Sequence, residues 1–404
     1  MNSLWETPKN TEFLELIINE IWSGKIVLAF LPNHTPDDFL SQLKIKFGEN
    51  KSIIYEKINL AYCDETDKKP IESLLFSHFE LEEQTDTFIK KSTASIFNYV
   101  DFNPQKIFVF QNLPSTLIDH FREFIFTLAH HLISKSVHER HKVLVLLNPE
   151  NFKLSDFTSE SGIQRILYEG YSDKLDHTLS LRYYHKYEDE PFTPLYERMI
   201  TSLSVYDPGL TESLIDCDNL IEDYREQLNE YAKSKKWDKI SYKQIKRLTE
   251  DEIWEMWSKG ILDKVNDEYE YHSAFLGIHN KESELEKRIW QSGIEILMPL
   301  IEEIRDRILK SKKLEFPDTI YNYKTEKFIT NKMDLEIGEI CYNVNKKNIR
   351  IRWLNSSETN NVYDFINLCK TIRNDLSHLR IPSTQNIKKF FQGYDRIYML
   401  LQTD

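Results

Sequence analysis

The chain has 404 residues, 40% of them apolar and 13% aromatic, enough for two or three cores at roughly 150 residues per domain and too many for a disordered polypeptide. Ten glycines and thirteen prolines are few against usual shares of about 7% and 5%; this excludes collagen-like and glycine-rich repeats, argues against propellers and barrels, and favours helices with few tight turns. The formal net charge of −13 argues against wholesale binding to a phosphate backbone, but residues 281–404 carry 21 basic and 18 acidic side chains, so the acidity lies in residues 1–280.

Cys63, Cys217, Cys341 and Cys369 are far apart, with no CxxC pair and no histidine at zinc-ligand spacing. They read as reduced thiols, and no metal site is expected. The first residues, MNSLWETPKNTEF, have neither the basic nor the apolar region of a secretory leader, and no run of about 18 apolar residues occurs. A cytoplasmic protein without a membrane partner is the expectation.

Residues 1–210 read as an α/β domain. The runs Ile26–Leu31, Ile53–Tyr55, Ile107–Phe110, Val143–Leu147 and Thr178–Tyr184 are continuously apolar, as strands buried on both faces are. Helical stretches at Pro36–Phe47, Ile71–Val100 and Thr116–Val137 separate them, which predicts a parallel sheet in a three-layer domain. This order of elements resembles the P-loop NTPase fold of the AAA and STAND classes, with Ile107–Asn112 in the place of a Walker B strand. The phosphate loop GxxxxGK[ST] is missing: the first strand is followed by Pro32, Asn33, His34 and Thr35, and the Walker B position ends in Gln111 and Asn112 instead of an acidic pair. The resemblance therefore implies a degenerate sensor or regulatory domain, and no cofactor is expected. An atypical NTPase would bind ATP around Pro32–Thr35.

Residues 211–280 read as a small helical or winged-helix-like linker module, with helices at Asp216–Ala232, Tyr242–Leu248 and Glu250–Lys259. Thr249 before Glu250, Asp251 and Glu252 predicts an N-cap, and Gly260 a stop. Trp237, Trp254 and Trp257 are expected in its core. The pairs His130/His131, His138/His141 and His177/His185 show no ligand-like partners and are expected on helix surfaces and strand ends.

Residues 281–404 read as a four-helix bundle. Its helices are expected at Glu282–Lys312 with a kink at Pro299, within the loop-rich Leu314–Arg352 at about Asp334–Tyr342, at Asn360–Leu379 and at Thr384–Leu401. In the third, Val362, Phe365, Ile366, Cys369, Ile372, Leu376 and Leu379 form one apolar stripe. Asn374 and His378 share the opposite face, and Arg373 flanks the stripe.

The segment Arg373-Asn374-Asp375-Leu376-Ser377-His378 resembles the signature of the HEPN family, an Arg followed after four to six residues by a His, commonly with an Asn beside the Arg. The stretch EKRIWQSGIEILMPLIEEIR is similar to a first HEPN helix. The resemblance implies a metal-independent endoribonuclease acting as a homodimer whose motif helices pack face to face. It also implies 2′,3′-cyclic phosphate and 5′-hydroxyl products, and a prokaryotic anti-phage defence or toxin effector that cuts tRNA or mRNA under an activating protein partner or phage signal. His378 would move protons, Arg373 would hold the scissile phosphate, and Asn374 would orient the imidazole or the ribose. Lys346, Lys347, Arg350, Arg352, Arg380, Lys388 and Lys389 are candidate RNA-binding cations, with Trp353 and Tyr394 as stacking platforms. The alternative is a non-catalytic regulator or RNA-binding scaffold that dimerises through the bundle.

Overall fold

A continuous apolar run is stable as a strand only when helices cover both of its faces. In the computed structural model, which describes residues 4–48, 53–81, 92–157, 160–181, 193–217, 219–322, 326–352 and 354–402, the first part of the chain meets that condition. Helix α1 (Pro8–Trp22) begins on a proline, whose missing N–H costs nothing there, and is followed by β1 (Ile26–Phe30), α2 (Phe39–Phe47) and β2 (Ile54–Asn59). Then come α3 (Pro70–His78), α4 (Thr93–Tyr99), β3 (Lys106–Gln111), α5 (Ile118–Ile133), β4 (Lys142–Leu147), β5 (Ile163–Leu167) and α6 (Lys174–Leu181).

The five strands form one parallel sheet in the order β2-β3-β4-β1-β5, an order found in neither Rossmann nor flavodoxin-like sheets. Successive residues point to opposite faces. Ile26, Leu28, Phe30, Phe108, Phe110, Val143 and Val145 join a core with residues of α3, α4 and α5. Val27, Ala29, Ile107, Val109 and Leu144 join a second core with residues of α1 and α2. The expected parallel, three-layer α/β arrangement is therefore present.

Two expectations need correction. Thr178–Tyr184 is not a strand: Lys174–Leu181 is helix α6, and the remaining residues lie outside those described. The fifth strand is β5, an edge strand that carries Gln164 and Arg165 and therefore lacks a continuous apolar run. The helix expected over Ile71–Val100 is α3 and α4, with residues 82–91 between them outside those described.

The chain continues through α7 (Thr193–Ser204), α8 (Pro208–Ile215), α9 (Leu220–Ser234), α10 (Glu250–Ser258), the antiparallel hairpin β6 (Leu262–Val265) and β7 (Glu268–Tyr271), and α11 (Ser273–Ile278). Thr249 caps α10 in a reciprocal capping box with Glu252, and Gly260 ends the helix at φ +72°, as the sequence indicated. Tyr242–Leu248 holds only a short 3₁₀ turn, Ile245–Arg247.

Helix α12 (Glu282–Lys310) contains Pro299. After it come β8 (Leu314–Glu315), the hairpin of β9 (Ile320–Asn322) and β10 (Lys327–Ile329), α13 (Ile337–Asn345), β11 (Arg350–Ile351), α14 (Ser356–Ser377) and α15 (Thr384–Leu400).

Two compact units interleave along this chain. One is made by the described residues of Met1–Tyr183 with Ser204–Leu210 and Trp237–Phe275; the other by those of Tyr184–Leu203, Thr211–Lys236 and Leu276–Asp404. Residues 211–280 thus divide between both. In the first unit, Trp254 and Trp257 of α10 enter the core on one face of the sheet, and the Trp254 indole donates to the Phe152 carbonyl at 2.7 Å. In the second, α12 is the helix the others share. Arg225 of α9 reaches its Glu282 and Glu286, the Ser292 hydroxyl lies 2.9 Å from that of Ser202 on α7, and Tyr394 of α15 donates to Glu303.

The first unit also buries titratable groups. His141, at the strand-end position just before β4, and His177, within α6 instead of on a surface, are both interior; burial pushes both imidazoles down to about 4. Burial pushes the Asp176 carboxyl up to about 6. A carboxyl whose folded value lies above its ordinary value of about 3.9 adds stability below that value, and this is lost as pH rises through about 6. Asp176→Asn removes the titration. Its urea midpoint relative to the parent protein should be higher at pH 8 than at pH 4; an equal difference at both values contradicts this assignment.

Candidate functional site

Two places in the fold were singled out for chemistry: the end of β1 and the end of α14. In an open α/β sheet, ligands bind beyond the carboxyl ends of strands where connections leave in opposite directions. Here that point lies between β1, which leads toward β2, and β4, which leads past β1 to β5. The loop after β1 turns inward. His34 is 3% exposed, and its Nε2 lies 2.9 Å from Oδ2 of Asp263 on β6. The other oxygen of Asp263 accepts the backbone N–H of Gly170 at 3.0 Å and of Lys264 at 2.7 Å. A Cβ on Gly260 would come within 3.3 Å of His34 Nδ1. On the solvent side, Asn33 donates to Glu150, beyond β4, at 2.8 Å. In place of a ring of backbone donors around a cavity, this loop has a packed imidazole. At the end of β3, where the resemblance would put a Walker B carboxylate, Asn112 donates to Asn59 at 3.2 Å, two amides with no carboxylate.

The end of α14 is built differently. The helix starts with a reciprocal capping box between Asn355 and Glu358. Val362, Phe365, Ile366, Cys369, Ile372 and Leu376 are buried, as the periodicity predicts. Leu376 packs where α12 has a glycine: a Cβ on Gly293 would sit 3.0 Å from its Cδ2. Beside it, the Trp290 indole of α12 donates to the Leu376 carbonyl at 2.6 Å. On other sides, Phe365 stacks on Phe390 of α15 at 5.4 Å, and Cys341 of α13 donates from Sγ to Asn367 at 3.0 Å.

Leu379 departs from the expected stripe. It is 69% exposed, because the helix ends at His378. The N–H of Arg380 returns to the Asp375 carbonyl at 2.9 Å and that of Leu379 to Leu376 at 3.2 Å, a Schellman closure with Leu379 left-handed at φ +57°. Glycine normally takes that position; a branched side chain there is strained.

Around this closure the motif residues have different partners. Arg373 pairs with Glu336, the N-cap of α13, at 2.7 Å. Asn374 is half-buried, and its carbonyl accepts the His378 N–H at 3.1 Å. The His378 side chain is exposed, with no hydrogen bond or ion pair among the described residues. The Ser377 hydroxyl bonds back to the Arg373 carbonyl.

The candidate RNA-binding cations are dispersed. Lys346 lies over the Tyr342 ring at 6.0 Å; Lys347 and Arg350 line one groove; Arg352 pairs with Glu315. Arg380, Lys388 and Lys389 are exposed, the first just after the motif and the others on α15. The Tyr394 hydroxyl is bound by Glu303 at 2.7 Å, and Trp353 lies outside the described residues. Sequence reasoning missed Tyr321 and Phe328, which face each other across the β9–β10 hairpin; the alternation in Tyr321, Asn322 and Lys327, Phe328 is their only signal.

Among the described residues, no group of three or more His, Cys, Asp or Glu side chains is placed to hold a metal ion, and no helix is long and apolar enough to cross a membrane. Comparison with protein-family models finds none that matches the chain, and comparison with curated proteins finds no match either.

The strain at Leu379 has a direct test. A left-handed residue with a Cβ costs about 1 kcal/mol relative to glycine, so Leu379→Gly should raise the unfolding free energy of the helical unit by that amount in urea titrations. An unchanged or lower midpoint contradicts it.

Proposed function

We propose that this protein is a metal-independent endoribonuclease of HEPN type whose α/β unit is a regulatory, P-loop-NTPase-like domain without a phosphate loop. The observation that carries the reading is the end of α14. There a histidine with no partner among the described residues follows by five positions an arginine held by one surface carboxylate, on a helix packed in a bundle. The exposed Leu379 beside it suits a surface covered by a second protomer, which would place two copies of Arg373, Asn374 and His378 in one cleft.

In that cleft an imidazole takes the proton of a ribose 2′-OH as its oxygen attacks phosphorus. The P–O5′ bond breaks, and the second imidazole, protonated, gives its proton to the leaving oxygen. Arg373 exchanges Glu336 for the scissile phosphate, where its charge stabilises the extra negative charge of the transition state. The products are a 2′,3′-cyclic phosphate and a 5′-hydroxyl. For the α/β unit, the packed His34 at the end of β1 favours a sensing role over nucleotide hydrolysis. An effector that cuts tRNA or mRNA in the cytoplasm on a phage or partner signal is the setting in which such a pairing of units makes sense.

The test is cleavage of total RNA in EDTA by the full chain, with identification of the ends. Arg373→Ala and His378→Ala should each lower the rate by at least 100-fold with unchanged circular dichroism. Cleavage that persists in both variants sinks the assignment, and RNA binding without cleavage under every activating condition favours the scaffold alternative.

A further inference from the structure

The β9–β10 hairpin carries two large exposed rings on one face while its other face is anchored. On β9, Ile320 and Asn322 point inward, and Asn322 is hydrogen-bonded to Glu339 of α13. Tyr321 and Phe328, register partners on the outer face, are 45% and 69% exposed, with ring centroids 5.4 Å apart. They line an open groove of ≈ 520 Å³ together with Phe316, Lys347 and Arg350.

The chain segment that supplies the groove is basic in sequence. Residues 312–352 hold nine basic and six acidic side chains, which accounts for the whole excess of the C-terminal segment. Glu315 in the groove wall is matched by Arg352. Lys347 and Arg350 have no ion-pair partner among the described residues, and Lys332 lies over the Phe316 ring at 5.2 Å. Exposed rings flanked by unpaired cations are the combination that takes a flexible polyanion with unpaired flat bases, each ring accepting any base and each cation a phosphate.

We propose that this groove binds a single-stranded RNA segment, with bases stacked on Tyr321 and Phe328 and phosphates on Lys347 and Arg350. The proposal deepens the ribonuclease reading, on which the identity of the strand rests. Helix α13 relates the groove to the motif: Glu336, the partner of Arg373, caps its start, and Lys347 follows its end. Nine helical residues span about 14 Å, so the groove holds nucleotides a short distance along the strand from the scissile phosphate.

The test uses the full chain carrying His378→Ala, so that RNA stays uncut, with a fluorescein-labelled twelve-nucleotide single strand and a blunt duplex of the same length read by anisotropy. Tyr321→Ala with Phe328→Ala should weaken single-strand binding about tenfold or more and leave duplex binding unchanged, while Phe328→Tyr retains it. Lys347→Ala with Arg350→Ala should flatten the slope of log K against log salt by about 1.4. A single strand that does not bind, binds the ring-deleted variant equally well, or is affected no more than the duplex overturns the proposal. The two readings separate: ring-dependent binding without cleavage in the unmutated motif leaves the groove and removes the nuclease, whereas cleavage with unchanged KM in the ring-deleted variant removes the groove and leaves the nuclease.

Discussion

The contact between α12 and the last turn of α14 organises the helical unit. The final carbonyls of any helix lack intrahelical partners, and here one of them, that of Leu376, receives the Trp290 indole. A glycine at position 293 allows the Leu376 side chain to pack directly onto the α12 backbone. With the apolar side of α14 held in this way, the next residues have only the solvent side to occupy. His378 becomes the cap, Leu379 turns left-handed, and Arg380 closes the turn. The exposure of the motif histidine is thus a consequence of how tightly the helix before it is packed.

The shortage of glycine shows in both units. In the α/β unit the end of β1, where a phosphate loop would require backbone free of side chains, is built of Pro32, Asn33, His34 and Thr35, and the imidazole is drawn inside by a carboxylate from β6. In the helical unit two glycines sit where elements touch: Gly293 against Leu376, and Gly393, where a Cβ would lie 2.9 Å from the Phe365 ring. The second place shows why α14 and α15 pack so closely beside the Phe365–Phe390 stack.

Elements whose neighbours in sequence are also their neighbours in energy were legible. Strands β1, β3 and β4 are buried on both faces and read as unbroken apolar runs, and α10 carries its capping box in the four residues Thr249–Glu252. Helices α12, α14 and α15 were legible from length and periodicity. What could not be read depends on distant residues. The strand β5 has Gln164 and Arg165 because one of its edges is open. The strands β8 to β11 are two or three residues long, too short for a period. At the candidate site the helix carrying Arg373 and Asn374 was legible, but the end of that helix before His378 was not, and the choice of Glu336 by Arg373 is a tertiary one across 37 residues.

The carboxylate that closes the end of β1 comes from residue 263, more than two hundred positions after His34. During synthesis the sheet strands leave the ribosome long before that partner does, so His34 must wait in solvent or be sheltered until the β6–β7 hairpin arrives. Completion of the first unit therefore requires that translation has passed residue 263, with the α12 to α15 helices still to follow.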